Sequence, residues 1–290
     1  MSTRPLFSRP EFVPEFSDYE VFRRSTFGVT GHRGILGGIL HRRLVQANVH
    51  VDAYEGDVND DISLVQWFEA RRFSHFLHFA AIVPVARVEG DPLLAYQTNA
   101  IGSFNVCKNI LVMQKECWLF HASTSHVYTP RVDNISITED AATEPKTFYG
   151  VTKLAAERVI QPLLTRLQAP FCIGRIFSFS HESQHEPYLV PSLRSKIEKL
   201  GDGSRLDVNN PSSVRDIQDA ETVVDCILHL AYRRTLGTLN IGTGNGQSVR
   251  GIAMEVARVA NRNIVVHGTD KDLPSALIAD TRRLRSALSA

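Results

Sequence analysis

The chain of 290 residues is poor in cysteine, tryptophan, methionine and net charge, with 4 Cys, 2 Trp, 3 Met and a formal balance of +1. Cys107, Cys117, Cys172 and Cys226 form no CxxC pair, and a chain of this length has no need of disulfide staples. They read as reduced, buried thiols of a cytoplasmic protein. No apolar run approaches the roughly 20 residues that a membrane span requires. Residues 1–24 hold three prolines and scattered charge but lack the apolar stretch of a secretory signal. They read as an extension ahead of the fold, either partly ordered on the surface or used as an oligomer contact. Basic residues cluster in twos, as at Arg42–Arg43, Arg71–Arg72, Arg233–Arg234 and Arg282–Arg283. Such pairs are solvated helix faces, so neither nucleic acid nor membrane is expected as a partner.

Strand-like and helix-like stretches alternate along the first 180 residues. Short apolar runs at Thr26–Thr30, Asn48–Tyr54, Phe76–Phe79, Trp118–His121 and Phe171–Ile176 predict strands. Helical spacing predicts helices over Ile35–Ala47, Ile62–Arg72, Pro92–Lys115 and Phe148–Gln168. Pro162 is expected to kink or divide the last of these. This alternation predicts an α/β fold of the Rossmann type, a doubly wound parallel sheet covered on both faces. It places a dinucleotide-binding domain over residues 25–180. Residues 181–290 are expected to build mainly a smaller C-terminal α/β substrate lobe, with some segments returning to the core. Helices are predicted there near Val190–Leu200, Ile217–Arg233, Val249–Asn261 and Thr281–Leu288, and a strand at Thr238–Ile241.

Between the first strand and helix lies Thr30-Gly31-His32-Arg33-Gly34-Ile35-Leu36-Gly37, a GxxGxxG loop. Glycines in that context allow a tight turn, close approach of a pyrophosphate and close helix–strand packing. The free N–H groups at the helix start would hold the pyrophosphate. Asp57, followed by Val58, could accept from an adenine amino group, or could be a turn aspartate. Asp52, near the end of the second strand, could hold a ribose 2′-hydroxyl and favour NAD. Arg33 could meet a 2′-phosphate and favour NADP. These two signals conflict, and the choice between NAD and NADP stays open.

Tyr149 and Lys153 stand at i and i+4 of a helix and therefore on one face. A lysine so placed is expected to lower the phenol pKa from near 10, so that Tyr149 can exchange a proton with a carbonyl or hydroxyl while hydride moves at a nicotinamide. The same Lys153 ammonium can bind the nicotinamide ribose, which puts Tyr149 and Lys153 among the cofactor-binding residues too. Ser123, Thr124 and Ser125 follow an apolar strand, where a hydroxyl can bond a substrate oxygen.

Taken together and in order, Thr30-Gly31-x-x-Gly34-x-x-Gly37, Gly56-Asp57-Val58, His78-Phe79-Ala80-Ala81, Asn99, Ser123-Thr124 with Val127-Tyr128, Tyr149 with Lys153, Arg175, Arg215-Asp216 and Asn240-Ile241-Gly242-Thr243-Gly244 resemble the extended short-chain dehydrogenase/reductases that act on nucleotide sugars. The resemblance runs from about Thr26 to the C-terminus. It implies Thr124, Tyr149 and Lys153 as the catalytic triad. It implies that Gly31, Arg33, Gly34, Ile35, Leu36 and Gly37 meet the cofactor, together with Val58, Phe79, Ala80, Ala81 and Asn99. For the substrate it implies Thr124, Ser125, His126, Ser178 and Arg215, with the Arg215 guanidinium on the diphosphate.

Sugar-nucleotide 4,6-dehydratases of this type carry an Asp-Glu pair after the catalytic Thr, where this chain has Ser125-His126. The short segment between glycine loop and Gly56-Asp57 instead resembles the 4-keto-6-deoxy-sugar reductases, of the dTDP-4-dehydrorhamnose reductase and GDP-fucose synthase type. Reduction of such a sugar nucleotide is the leading expectation, a nucleotide-sugar 4-epimerase the alternative, and an NAD(P)-binding regulatory subunit the second. His126 is a further candidate acid/base. Ser178 replaces an asparagine that often meets the substrate phosphate. His181-Glu182-Ser183-Gln184-His185 matches HExxH, yet it follows a strand and has no apolar helical face, so no metal is expected. The helices from Pro92 and from Phe148 resemble the pair that joins two copies in a homodimer.

Overall fold

The computed structural model describes residues 6–83, 85–271 and 273–289. Its centre is a six-stranded sheet of β1 (Thr26–Thr30), β2 (His50–Tyr54), β3 (His75–His78), β4 (Trp118–Thr124), β5 (Phe171–Ile176) and β9 (Gly237–Ile241), in the order β2-β1-β3-β4-β5-β9. Every pairing in it is parallel. The strand order reverses between β1 and β3, and in doubly wound sheets ligands bind outside the carboxyl ends of the strands at such a reversal.

Both faces of the sheet are covered, so its strands are apolar on both sides. On one face α1 (Ile35–Gln46) and α8 (Ala220–Tyr232) pack Leu40, Leu44, Val224 and Ile227 against Phe27, Val29, Trp118 and Phe120. On the other, α2 (Asp61–Glu69), α5 (Ser103–Met113) and α6 (Phe148–Arg166) bring Leu64, Phe68, Ile110, Ile160 and Leu164 onto Phe76, Leu119 and Ile173.

Three elements differ from the sequence expectation. The helix expected from Pro92 to Lys115 runs as α4 (Pro92–Tyr96), a π-helical segment at Gln97–Gly102 and α5, ending at Met113. The helix α6 is unbroken through Pro162. Pro162 is exposed, so the carbonyl it leaves without a partner lies on the side where water can satisfy it. Val214–Asp219 form strand β8 where a helix is expected from Ile217, and α8 begins only at Ala220 because the Asp219 side chain caps it by accepting from Glu221 N. A short helix α3 (Val85–Gly90) precedes α4.

The remaining chain builds a second, smaller layer. β6 (Ser178–Ser180), β10 (Gly246–Ser248) and β12 (Ala276–Leu277) all pair with β8, while β7 (Ser204–Asp207) pairs with β11 (Ile264–His267). Helices α7 (Leu189–Glu198) and α9 (Val249–Val259) pack on them through Val190, Leu193, Ile197, Ile252 and Val256. α10 (Arg282–Ser289) returns to the central sheet, with Leu284 and Leu288 in its core.

Residues 6–22 pack into the fold and are not a loose appendage. Val13, Phe16 and Phe22 are buried in the core of the central sheet and Phe7 in that of the smaller layer. Asp225 on α8, fully buried, accepts from Phe16 N at 3.0 Å and from Arg43 at 2.7 Å.

Candidate active site

The glycine loop fits a dinucleotide on its own geometry. Gly31 has φ +75°, and a Cβ there would lie 2.6 Å from Ala80 N and from the Phe79 carbonyl carbon. The turn after β1 is thus pressed against the turn after β3 at the point of strand reversal, which only glycine permits. A Cβ at Gly37 would lie 2.4 Å from Gly31 O, so α1 also starts tight against the loop. Gly34 is the N-cap of α1 and has no side-chain cap bond. Its first-turn N–H groups, at Ile35, Leu36 and Gly37, face the loop as an anion site.

The carboxylate at the end of β2 is not Asp52. Asp52 pairs with Gly28 in mid-strand, and its side chain lies 3.5 Å from Arg71 and 3.3 Å from His50. Glu55, just past the last strand residue, is held from the glycine loop: His32 Nε2 lies 3.0 Å from Oε1 and Arg33 Nη2 contacts Oε2. Asp57 accepts from Asn59 N at 2.9 Å and from Asn59 Nδ2 at 3.0 Å through Oδ1, which leaves Oδ2 free. Val58 is buried against Gly102 of the π-helical segment.

Asn99 braces the far wall. It sits, fully buried, in the π-helical segment, a local widening that often marks a functional position. Its Oδ1 accepts from Ile82 N at 2.7 Å, and its Nδ2 donates to Ile82 O at 3.1 Å and to Thr152 Oγ1 at 3.0 Å. One amide thereby ties the Phe79-Ala80-Ala81 turn to the helix that carries Tyr149 and Lys153. Beneath it, Ser103 Oγ donates to Asn99 O at 2.7 Å and lies 2.9 Å from His78 Nε2, while His78 Nδ1 lies 2.6 Å from Thr30 Oγ1. Because the serine proton is spent on Asn99 O, Nε2 carries the imidazole proton and Nδ1 accepts from Thr30. Burial, then the Lys153 charge, depresses His78 to about 3, so it is a neutral strut.

Thr124 ends β4 and Tyr149 opens α6, capped by Thr147 accepting from Gly150 N at 3.1 Å. Gly150 lets α6 approach, since a Cβ there would lie 2.2 Å from His126 O. Thr124 and Tyr149 therefore face each other. The His126 ring stands edge-on to Tyr149 with centroids 5.8 Å apart. Burial, then the nearby Arg215 charge, lowers the His126 pKa, so it is neutral. The Arg215 guanidinium on β8 donates to Val214 O at 2.8 Å and Ser275 O at 2.9 Å. Ser125 is buried beside His126, and Ser178 starts β6 opposite Ile217. Tyr188, the N-cap of α7, brings its phenol close enough to influence Tyr149, a contact no sequence motif announced.

The expected lowering of the Tyr149 pKa by Lys153 is not found. Burial raises the Tyr149 pKa above its ordinary value, and the Thr124 hydroxyl only partly offsets this. Lys153 acts elsewhere: its charge is felt by His78 and His121, one layer down, and the Glu157 carboxylate on the next turn partly offsets the cost of burying it. Burial lowers Lys153 to about 8.

A buried polar network supports this floor. Arg175 donates from Nη2 to Glu157 Oε2 at 2.7 Å and from Nη1 to Tyr128 OH at 2.8 Å. Ser123 Oγ donates to Glu157, and Tyr128 OH donates to Asn240 Oδ1 at 2.7 Å. Asp216 accepts from Thr243 N at 2.9 Å, Gly244 N at 2.9 Å and Ala279 N at 3.1 Å. The Arg215-Asp216 and Gly242-Thr243-Gly244 motifs are thus two sides of one contact, which fixes the strand that carries Arg215. The HExxH stretch is a turn in which His181 Nδ1 lies 2.6 Å from Ser183 Oγ. Among the described residues no group of three His, Cys, Asp or Glu side chains could hold a metal ion, and no helix is long and apolar enough to cross a membrane.

A family model described as GDP-mannose 4,6 dehydratase matches residues 19–285. The chain belongs to that family. The chain is 24% identical over 271 residues to a UDP-glucose 4-epimerase of Lactobacillus helveticus, covering 86% of this chain and 80% of the relative. Its fold is that of the UDP-glucose 4-epimerase of Thermus thermophilus solved with NAD, with TM-score 0.77, 20% identity and 90% and 92% of the two chains covered. It is also that of a dTDP-4-dehydrorhamnose reductase from Clostridium acetobutylicum, with TM-score 0.75, 20% identity and 87% and 89% covered. One scaffold thus carries different reactions, and here Ser125-His126 follows Thr124.

Proposed function

We propose that this protein is an NAD(P)-dependent oxidoreductase of nucleotide sugars, and that its net reaction is reduction of a 4-keto-6-deoxy sugar nucleotide. The observation that carries the reading is the juxtaposition of Thr124 with a Tyr149 phenol that burial keeps protonated. A neutral phenol is a proton donor, which reduction of a carbonyl requires. The bound nicotinamide would supply the hydride. Thr124 and Ser125 orient the substrate oxygen, Tyr149 gives it a proton, and Lys153 holds a positive charge at the base of the pocket. Arg215 takes the diphosphate, with His126 and Ser178 along the sugar. His126, neutral, is suited to accept a proton or hydrogen bond.

A 4-epimerase is the second reading, favoured by the naming of the Lactobacillus helveticus relative. It uses the same three residues but must first remove a proton from a hydroxyl, for which a raised phenol pKa is unfavourable. A regulatory subunit would keep the dinucleotide site and turn over nothing.

NADH and NADPH oxidation with a panel of 4-keto-6-deoxy nucleotide sugars separates these readings. Cofactor consumed in proportion to substrate is the expected result, and interconversion of 4-epimers without net consumption would overturn it. In Tyr149→Phe, turnover should fall by roughly 10²- to 10⁴-fold, the usual weight of a positioned proton donor, while dinucleotide affinity and unfolding temperature stay unchanged. Near-normal turnover in that variant would remove Tyr149 from the reaction.

A homodimer joined through α5 and α6 is part of the proposal. These helices and the π-helical segment ahead of α5 leave Ile101, Val112, Val151 and Val159 exposed at 38–76%, an apolar face that water does not favour. Light scattering on the purified protein should give twice the 32.4 kDa chain mass, and a monomer at micromolar concentration would count against it.

A further inference from the structure

His121 is the one fully buried imidazole here whose two ring nitrogens, Nδ1 and Nε2, both lack a hydrogen-bond partner among the described residues. It lies on β4 three residues before Thr124, on the sheet face where its neighbours Leu119 and Ile173 are apolar. Its other neighbour in register is His78, and the two rings stack with centroids 5.4 Å apart and planes inclined by 29°. The contrast between them is informative. His78 is satisfied at both nitrogens by Thr30 and Ser103, so it cannot serve His121. An orphaned buried polar group needs an ion, a water or a catalytic role to explain it.

The titratable groups on the surrounding elements are His78 on β3, Cys107 on α5, and Lys153 and Glu157 on α6. His78 is fully bonded. The Cys107 thiol is pushed up to about 12 by burial and stays a weak donor. Glu157 is taken up by Ser123 and Arg175. Lys153 remains: it is 2% exposed, its charge reaches His121, and an ammonium carries three donors that a buried site must satisfy.

We propose that His121 is a positioning residue for Lys153, its neutral imidazole accepting from one buried water to which the ammonium donates. The bond favours the charged lysine and fixes its Nζ under the catalytic tyrosine. This rests on the assignment of Lys153 to the cofactor site, but not on which sugar is the substrate.

The test follows the titration of Lys153 through NADH binding, measured by fluorescence as a function of pH. In the wild type, affinity should fall as pH rises through about 8. In His121→Phe, which keeps the stacked ring and loses the acceptor, that limb should move to lower pH by about one unit, a tenfold change in the ratio of charged to neutral lysine at fixed pH. His121→Asn should move it back. A limb that stays in place in a folded His121→Phe protein would overturn the proposal, because a purely structural role lowers stability without moving a titration. Where the Phe variant fails to fold, ¹⁵N spectra of histidine-labelled wild-type protein decide: a ring nitrogen shifted from the free pyridine-type position supports the bond, and one at that position overturns it. Neither readout needs the sugar, so loss of the reductase reading would leave both intact.

Discussion

At the carboxyl end of β2 a single carboxylate is gripped by a guanidinium and an imidazole of the glycine loop. Glu55 is 61% exposed at its side chain, Arg33 75% and His32 only 15%. A ribose diol can donate to Glu55 while Arg33 stays in place. A 2′-phosphate must displace the carboxylate from Arg33 and suffer its repulsion. NADH is therefore expected to bind more tightly than NADPH. In Glu55→Gln the negative charge disappears and Arg33 is released, so the ratio of the two dissociation constants should swing toward NADPH by about tenfold, worth about 1.4 kcal/mol. Fluorescence titration with both cofactors measures it, and an unchanged ratio would place the ribose elsewhere. The sequence pointed to Asp52 because it was the acidic residue inside the strand. It could not show that Asp52 lies in mid-strand while Glu55, just past the strand's end, meets the loop. Arg33 reads in the sequence as a partner for a 2′-phosphate, and it could not be seen there that Glu55 occupies its guanidinium.

Among the elements, legibility followed agreement between local and tertiary signals. β1, α1, β4 and α6 combine an apolar period with a motif at one end, and they stand where expected. β8 did not announce itself. Its residues, Val214-Arg215-Asp216-Ile217-Gln218-Asp219, mix polar and apolar without alternation, because Asp216 and Gln218 are buried and bonded while Arg215 is partly buried on Val214 O and Ser275 O. A buried polar strand defeats a hydrophobic pattern. The π-helical widening at Gln97–Gly102 was also invisible, since its cause is a set of long-range bonds from Asn99 to Ile82 and Thr152. Pro162 misled in the other direction: its cost depends on whether the abandoned carbonyl can meet water, which burial decides and sequence does not.

Across the whole molecule the N-terminal segment is what composition read least well. Its prolines and charges suggested an appendage, yet Phe7, Val13, Phe16 and Phe22 are each no more than 4% exposed and bridge both layers. The point of attachment is Asp225, with no exposed surface, which faces Arg43 at 2.7 Å and Arg9 at 2.5 Å and accepts from Phe16 N. Removing one partner of a buried pair leaves an uncompensated charge and costs about 3–5 kcal/mol. Asp225→Ala leaves Arg43, whose side chain is 17% exposed, with only the more distant Glu221 at 3.4 Å as counter-charge, and should lower unfolding free energy toward the lower end of that range. Arg9→Ala removes a cation that is 33% exposed and leaves Asp225 still paired, so its loss should stay near the roughly 0–1 kcal/mol of partly solvated pairs. Denaturant unfolding of both variants checks the order. Equal losses would mean that the segment is held by its aromatic residues alone. A larger loss for Asp225→Ala makes the buried ion pair the fastening that keeps the two layers, and with them Tyr149 and Arg215, in one arrangement.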